Sequence, residues 1–118
     1  MQKTVLHRAL ILSSLLLTLT ACQGSATPQD VALAELAAQA TQYDGRTVRT
    51  RGRVRSFDSP RHYWLEDRWG NRVGLLPPEQ AAPHLDREIS VRGRFEYNPQ
   101  RRGRYISLDA VEPYDAAR

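Results

Sequence analysis

The chain is short and mildly basic, with 118 residues that carry 17 lysine and arginine side chains against 13 acidic ones and a formal net charge of +4. That length gives one small domain. The single cysteine excludes an intrachain disulfide and any cysteine-based zinc site.

The N-terminal segment has the pattern of a bacterial export signal. Lys3 and Arg8 precede an apolar run at residues 9–19 that is too short to span a membrane. The tetrapeptide Leu19-Thr20-Ala21-Cys22 ends this run and resembles the lipobox of bacterial lipoproteins, which is cleaved before the cysteine. The resemblance implies that Cys22 begins the mature protein and carries lipid, palmitate included. The alternative is an ordinary secretory signal, which leaves a free thiol.

The residue after Cys22 bears on the choice of membrane. In Gram-negative bacteria an Asp there typically retains a lipoprotein in the inner membrane, so by resemblance Gln23 points to the outer membrane. Acyl chains contribute about 0.8 kcal/mol per buried methylene, which anchors a multiply acylated residue almost permanently. We expect an outer-membrane lipoprotein of the cell envelope that faces the periplasm and has the membrane as one partner.

Composition divides the chain into four segments. They are the signal peptide at residues 1–21, a lipidated tether at 22–29, a folded domain at 30–114 and a frayed C-terminus at 115–118. All 13 acidic residues lie beyond the signal peptide, where they face fifteen arginines. This near balance weakens the case for an anionic partner. The arginines fit either bidentate phosphate recognition or a base composition that favours arginine codons.

Periodicity predicts the elements of the domain. Asp30 offers an N-cap to a helix at residues 31–41, and a turn follows at 43–45. From Arg46 the period changes to two, which predicts a first strand through residue 55. Further strands are predicted at residues 62–67, 73–75, 89–96 and 105–112, with a loop at 57–60, a short helix at 79–85 and a hairpin loop at 98–103.

This order of elements is that of an OB-fold, a small five-stranded Greek-key barrel with an N-terminal helix and a short helix between strands three and four. The predicted fold class is therefore all-β with minor α. Gly52 and Gly93 occupy inward positions of the two longest strands. A missing side chain there lets a strand bend around a barrel corner.

Three short patterns also resemble a known family. They are Tyr43-Asp44-Gly45-x-x-Val48-x-x-x-Gly52-x-Val54, Tyr63-x-Leu65-x-Asp67 and Ile89-x-Val91-x-Gly93-x-Phe95. Together they resemble the secreted bacterial OB-fold proteins grouped with the tRNA-anticodon-binding-like domains. The family label implies nucleic acid, although many exported members have no known nucleic-acid role. The matched positions are structural, so the resemblance assigns no site residue.

The first candidate ligand surface is the outer face of the first two strands. Arginines at alternate positions of the first strand are about 6.6 Å apart and share this face with aromatic residues of the second. Cations interleaved with aromatic rings are typical of single-strand binding, in which stacking contributes about 1–3 kcal/mol per base. The candidate ligand residues are Arg51, Arg53, His62 and Trp64. The alternative is a solvated face whose arginines pair with Glu66 or Glu96.

A second candidate lies in two loops. Arg101, Arg102 and Arg104 give the hairpin loop the densest charge in the chain. In OB-folds this loop and the loop between strands one and two border the ligand face. The latter loop contributes Arg61 beside His62, and we expect the two loops to converge on a ligand. The alternative is unconstrained charge at a hairpin tip.

Catalysis has little support in the sequence. His62 and His84 lie in no metal-ligand spacing, and the adjacent Glu66 and Asp67 point to opposite faces of a strand. We expect no enzyme activity, no metal and no cofactor. Trp69 is predicted to plug one end of the barrel, with an exposed anchor for a partner as the alternative.

The leading functional hypothesis is a lipid-anchored, non-catalytic periplasmic OB-fold adaptor that recognises a protein or an envelope component. The alternative is a polyanion binder whose arginine-rich face takes single-stranded nucleic acid or lipopolysaccharide phosphate. Nucleic acid is the less expected partner, because the periplasm normally contains little of it. An inhibitor or chaperone-like accessory is a third, weaker hypothesis.

Overall fold

The structure is a computed structural model that describes residues 27–114. The predictions for Cys22, the signal peptide, the first part of the tether and the frayed C-terminus lie outside the described residues. Among residues 27–114 no helix has the length and apolar character that a membrane span requires.

Six strands and three short helices make up the described residues. The strands are β1 (Gln29–Asp30), β2 (Thr47–Asp58), β3 (Arg61–Glu66), β4 (Arg72–Leu76), β5 (Glu88–Asn98) and β6 (Gly103–Pro113). The helices are α1 (Leu33–Ala38), α2 (Ala40–Tyr43) and α3 (Pro78–Ala81), the last continued by a 3-10 turn at Ala82–His84. The mostly β class with few helices is confirmed, but the predicted count of five strands is wrong.

The additional strand comes from the predicted tether. Gln29 and Asp30 pair in parallel with Val48 and Arg49 of β2, and the next amide, that of Val31, donates to the Arg49 carbonyl. Asp30 is therefore a strand residue and not the helix N-cap that the sequence predicted. The cap position of α1 is Ala32, which makes no side-chain hydrogen bond.

The single predicted N-terminal helix is two short ones. Gln39 interrupts it with a non-helical backbone (φ −125°, ψ 42°) between α1 and α2. The break turns α2 so that Ala40 and Tyr43 are buried, while α1 buries Leu33 and Leu36. Both helices thus pack on the same core from slightly different directions.

The sheet closes in a ring. Its strand order is β1-β2-β3-β4-β6-β5, and β5 pairs again with β2. Strand β2 makes the closure possible because it is long enough to pair with β5 along its first half and with β3 along its second, with Arg53 facing partners in both. Strands β4 and β6 are parallel, and the other pairs of the ring are antiparallel.

The interior of the ring is the hydrophobic core. Inward residues alternate with exposed ones along β2 and β5, as the period of two predicted. The largest fully buried side chains come from every long element of the ring and from α1. They are Phe95, Leu36, Leu65, Leu75, Ile89, Ile106, Val48, Val54, Val73 and Val91.

Gly52 lies where β2 passes from β5 to β3. A Cβ atom at Gly52 would come within 2.8 Å of a Leu33 methyl and 3.0 Å of the Glu66 carbonyl oxygen. The predicted inward position of this glycine therefore matches a close approach between the strand, α1 and β3.

Candidate aromatic binding face

A row of aromatic side chains crosses the outer surface of β2 and β3. Phe57 lies opposite His62 in the antiparallel pair, and their ring centroids are 6.0 Å apart. His62 and Trp64 alternate along β3 and project to the same side, with centroids 5.2 Å apart. Phe57 is 57% exposed, so the row begins in solvent at the tip of the hairpin.

Trp64 is held in place by two polar neighbours. Its indole Nε1 donates to Glu66 Oε2 at 2.9 Å. The same oxygen accepts Arg72 Nε at 2.9 Å, and the Arg72 guanidinium lies 5.1 Å from the centre of the Trp64 ring. These contacts fix the ring before any ligand arrives, which lowers the entropic cost of stacking on it. A cavity of about 380 Å³ adjoins this cluster.

The row continues around the ring of strands. Trp64 faces Gly74 of β4, Gly74 faces Tyr105 of β6, and Tyr105 faces Glu96 of β5. Gly74 has no side chain, so it leaves a gap about two strand spacings wide, roughly 10 Å, between Trp64 and Tyr105. A hydrogen bond to Glu96 raises the pKa of Tyr105, with burial and the negative charge of Glu96 adding to the effect.

We define the aromatic face as Phe57, His62, Trp64, Arg72, Gly74 and Tyr105. At its open end the His62 Nδ1 contacts the Pro60 carbonyl oxygen at 2.8 Å, and Arg61 contacts Asp58 at 3.5 Å. The face thus combines exposed rings with guanidinium groups on a rigid sheet.

The first-strand arginines do not act as one row. Arg49 pairs with Asp30 at 3.5 Å, and Arg55 pairs with Asp86 at 3.0 Å. Arg53 donates to the Asp86 carbonyl oxygen at 2.6 Å. The expected partners Glu66 and Glu96 pair instead with Arg72 and Arg94. The local partners of β2 come from β1 and from the segment before β5, two contacts that the strand pattern does not encode.

Arg51 lies apart from the aromatic face. Its guanidinium stacks 4.6 Å from the centre of the Tyr114 ring. The structure therefore brings His62 and Trp64 together, leaves Arg61 paired with Asp58 at the start of β3, and separates Arg51 from all three.

The two arginine-bearing loops flank the face from opposite ends. Arg61 begins β3, and the antiparallel register places that end of β3 beside the end of β4. Gly103 begins β6, which runs parallel to β4, so the loop with Arg101 and Arg102 lies beside the start of β4. The loops therefore bracket the face rather than converge on one point. Arg104 lies 5.9 Å from the centre of the Tyr97 ring.

Trp69 is not a plug. It is 73% exposed in the turn between β3 and β4, so the predicted burial is wrong and the alternative of an exposed aromatic holds. The core is already closed by Leu36, Leu65 and Phe95, which leave no space that an indole must fill.

The carboxylates at the aromatic face are engaged by neighbouring donors. Each carboxylate that touches it is held in an ion pair or a hydrogen bond, and within residues 27–114 no group of three or more metal-ligating side chains comes together. Asp67, which was predicted to be the last residue of the second strand, lies in the turn after β3 and accepts hydrogen bonds from that turn.

Comparison with solved structures identifies chains of similar architecture. The S. pombe Stn1-Ten1 complex contains a similar chain, with a TM-score of 0.56 and 15% identity over 79% of this chain and 82% of that one. The architecture is OB-fold-like. An aspartyl-tRNA synthetase from Leishmania major Friedlin gives a TM-score of 0.52 and 13% identity over 80% of this chain, but only 22% of its own length is covered. No family model matches the chain, and no curated protein matches it in sequence.

Sequence reasoning found His62 and Trp64 but missed other members of the face. Phe57 was assigned to a loop, whereas it continues β2 and keeps its alternation. Arg72 and Gly74 were missed because their place depends on the register between β3 and β4, and Tyr105 was missed because its place depends on the parallel pairing of β4 with β6. Only the period of two at Phe57 was available as a signal.

Proposed function

We propose that this chain is a lipid-anchored, non-catalytic binding module of the bacterial cell envelope whose aromatic face holds single-stranded nucleic acid. The observation that carries the binding proposal is the ladder of exposed Phe57, exposed His62 and half-buried Trp64 on the outer surface of β2 and β3. Successive rings flanked by guanidinium groups suit a flexible anionic polymer with planar bases. The lipid anchor is supported by the lipobox resemblance at Cys22.

The loop arginines supply the electrostatic part of the proposal. Within residues 27–114, Arg101 and Arg102 form no ion pair, and they stand at one end of the face while Arg61 stands at the other. A polymer that crosses the face would meet positive charge at both ends and aromatic rings between them. One solved structure with a similar architecture is an aspartyl-tRNA synthetase, whose name refers to a nucleic acid, and this supports the proposed ligand class.

A protein partner is the second candidate. Phe57 is a large apolar side chain at a hairpin tip, and aromatic residues are enriched at interface hot spots. The Stn1-Ten1 structure is by its name a complex of two proteins, so this architecture also occurs in protein assemblies. This candidate retains the adaptor hypothesis, with the aromatic face as the contact surface.

Binding of a fluorescent single-stranded DNA to the full-length chain in mild detergent tests the proposal. We expect saturable binding that weakens steeply between about 50 and 300 mM salt, because each neutralised phosphate releases counterions. Replacing His62 or Trp64 by Ala should weaken binding by about 5- to 150-fold per stacked base. Those variants should keep the salt slope, since no charge is removed.

The charge contribution has a matched control. The triple change of Arg101, Arg102 and Arg104 to Ala should reduce the salt slope, whereas the triple change of Arg46, Arg87 and Arg92 removes the same charge outside the face and should leave most of the slope. Binding that is absent at the lowest salt, or unaltered in both aromatic variants, contradicts the proposal. Displacement by lipopolysaccharide alone would assign the face to lipid phosphate instead.

A further inference from the structure

A second cavity lies on a different part of the molecule. It has a volume of about 700 Å³ and lies between the β1–α1 junction, the first half of β2 and the turn after β3. Sites for small molecules typically have about 300–1,000 Å³. We call it the Trp69 cleft, and it shares no residue with the aromatic face. Its lining includes Arg49, Thr50, Arg51, Arg68, Trp69 and Tyr114.

The turn that presents Trp69 is rigid. The Asp67 carboxylate accepts the backbone amides of Trp69 and Asn71, each at 2.9 Å, and the Asn71 side-chain amide at 2.8 Å. The Gly70 amide donates to the Asp67 carbonyl oxygen, and the Asp67 amide donates to that of Asn71. These bonds fix the backbone from which the exposed indole projects, which reduces the loss of backbone entropy when a ligand stacks on it.

Two guanidinium groups in the cleft are available for an anion. Arg68 lies 4.9 Å from the centre of the Trp69 ring and Arg51 lies 4.6 Å from that of Tyr114, and neither forms an ion pair among residues 27–114. Arg49, the third arginine of the lining, is paired with Asp30.

The carboxylates of the cleft are mostly engaged. Asp30 is paired with Arg49, and the Asp67 carboxylate accepts three N–H donors from its own turn. Asp67 and Glu88 are the two lining carboxylates that form no ion pair in the described part of the chain. Two unpaired guanidinium groups therefore share the Trp69 cleft with two unpaired carboxylates, and the Asp67 carboxylate is already bonded to donors of its own turn.

The floor of the cleft contains an unsatisfied polar group. Thr50 is buried, and its hydroxyl has no hydrogen-bond partner among residues 27–114. Buried polar atoms without partners are rare in folded proteins and costly. This position gives the inner end of the cleft a polar character that an apolar core does not need.

We propose that the Trp69 cleft binds a small anion that bears a planar ring. The ring stacks on Trp69, and the anionic group is received by the guanidinium groups of Arg51 and Arg68. A nucleoside monophosphate and an aromatic carboxylate both have this chemistry. The proposal rests on residues outside the aromatic face and is independent of polymer binding there.

Nuclear magnetic resonance of the full-length chain in mild detergent tests the proposal directly. The chain has two tryptophans, so its indole N–H signals separate the cleft, reported by Trp69, from the aromatic face, reported by Trp64. Adenosine monophosphate and benzoate serve as the two ring-bearing probes, with adenosine and inorganic phosphate as the single-feature probes. We expect a saturable Trp69 shift with a Kd below about 1 mM for at least one ring-bearing anion, and at least tenfold weaker binding of adenosine and phosphate.

Charge variants give the matched comparison. Arg51→Gln and Arg68→Gln should each weaken the Trp69 titration at least tenfold, whereas Arg92→Gln, at an exposed position outside the cleft, should leave it unchanged. A response to adenosine monophosphate alone assigns a nucleotide, and a response to benzoate alone assigns an aromatic carboxylate. No Trp69 shift with either probe at about 10 mM overturns the proposal. A shift confined to Trp64 also overturns it, while leaving binding at the aromatic face intact.

Discussion

At Gly93 the chain has room for hydrogen and nothing larger. A Cβ atom there would lie 2.1 Å from the Ser107 carbonyl oxygen and 2.7 Å from a methyl of Ile106, at the point where the β5–β6 register shifts. We expect Gly93→Ala to lower the free energy of unfolding by about 3 kcal/mol, because backbone must move to admit the methyl group. Urea unfolding followed by circular dichroism measures the loss.

Gly70→Ala is the control for that experiment. Gly70 has a positive φ of 83°, but a Cβ atom there meets nothing within 4 Å. We expect a cost of about 1 kcal/mol from backbone conformation alone. Equal losses in the two variants would show that crowding at Gly93 is relieved without cost.

Among the elements, the turn between β3 and β4 depends most on one side chain. Burial acts to raise the pKa of Asp67, but hydrogen bonds from Asn71, Trp69 and Gly70 outweigh it, so the pKa lies below its ordinary value. A carboxyl group with a lowered folded pKa stabilises the protein above its unfolded pKa, and the contribution is lost as the pH falls through the folded value. The ionised carboxylate therefore maintains the turn at neutral pH.

Asp67→Ala should lower the free energy of unfolding at neutral pH by about 1–2 kcal/mol, since several hydrogen bonds are lost at a partly exposed site. The difference from the unmodified chain should shrink as the pH falls below the ordinary aspartate pKa and through the lowered folded value, because the carboxylate then becomes protonated in the folded state as well. Urea midpoints across that range measure it. Asp109→Ala, at an exposed position in β6, is the control, and a difference that persists at low pH would contradict the assignment.

The sequence predicts those secondary-structure elements that depend on a local pattern of residues. Alternation located the long strands and the outward direction of His62 and Trp64, because side-chain period is a property of the strand alone. The strand at Gln29–Asp30 was not predictable, since two residues have no period and become a strand by pairing with β2. The break at Gln39 was hidden for a similar reason, because packing of α2 on the core overrides the helical propensity of an alanine-rich run.

The candidate sites also divide into features that the sequence predicted and features that it did not. Neighbours on one strand were predictable, whereas the Trp64–Gly74–Tyr105 row requires the order of strands around the ring. Trp69 was predicted to be buried but is exposed, and the hydrogen bonds to Asp67 that shape the backbone of its turn could not be read from strand periodicity. Contacts between strands and within turns therefore could not be predicted from the sequence pattern.

For the whole molecule, the change in stability at alkaline pH depends on a small set of titrating side chains. Lys3 is the only lysine in the chain, and arginine keeps its charge at high pH, so the tyrosines are the side chains of residues 27–114 that lose protons above about pH 9. Hydrogen bonds to Glu35 and Glu96 raise the pKa of Tyr43 and Tyr105, respectively, with burial as the next cause in each case. The Tyr43–Glu35 bond joins α2 with α1, and the Tyr105–Glu96 pair belongs to β6 and β5.

The direction of the pH effect follows from these raised values. A tyrosine with a raised folded pKa stabilises the fold below its unfolded pKa of about 10, and the contribution is lost as the pH rises through the folded value. The unfolding free energy should therefore be flat up to about pH 9 and then fall. The slope of this fall against pH should correspond to a difference of at most one bound proton per affected tyrosine between the folded and unfolded states. Urea midpoints between about pH 8 and 11 measure the fall.

Single phenylalanine substitutions assign the effect to its tyrosines. Tyr43→Phe and Tyr105→Phe should each make the alkaline fall shallower, because neither ring then has a proton to lose. Tyr114→Phe is the control, since its exposed ring stacks with Arg51, and this variant should keep the full slope. A fall that is equally steep in all three variants would mean that the bonds to Glu35 and Glu96 do not couple proton loss to unfolding. A shallower fall in Tyr43→Phe alone would place the coupling at the contact between α1 and α2 and leave the β5–β6 pair insensitive to pH.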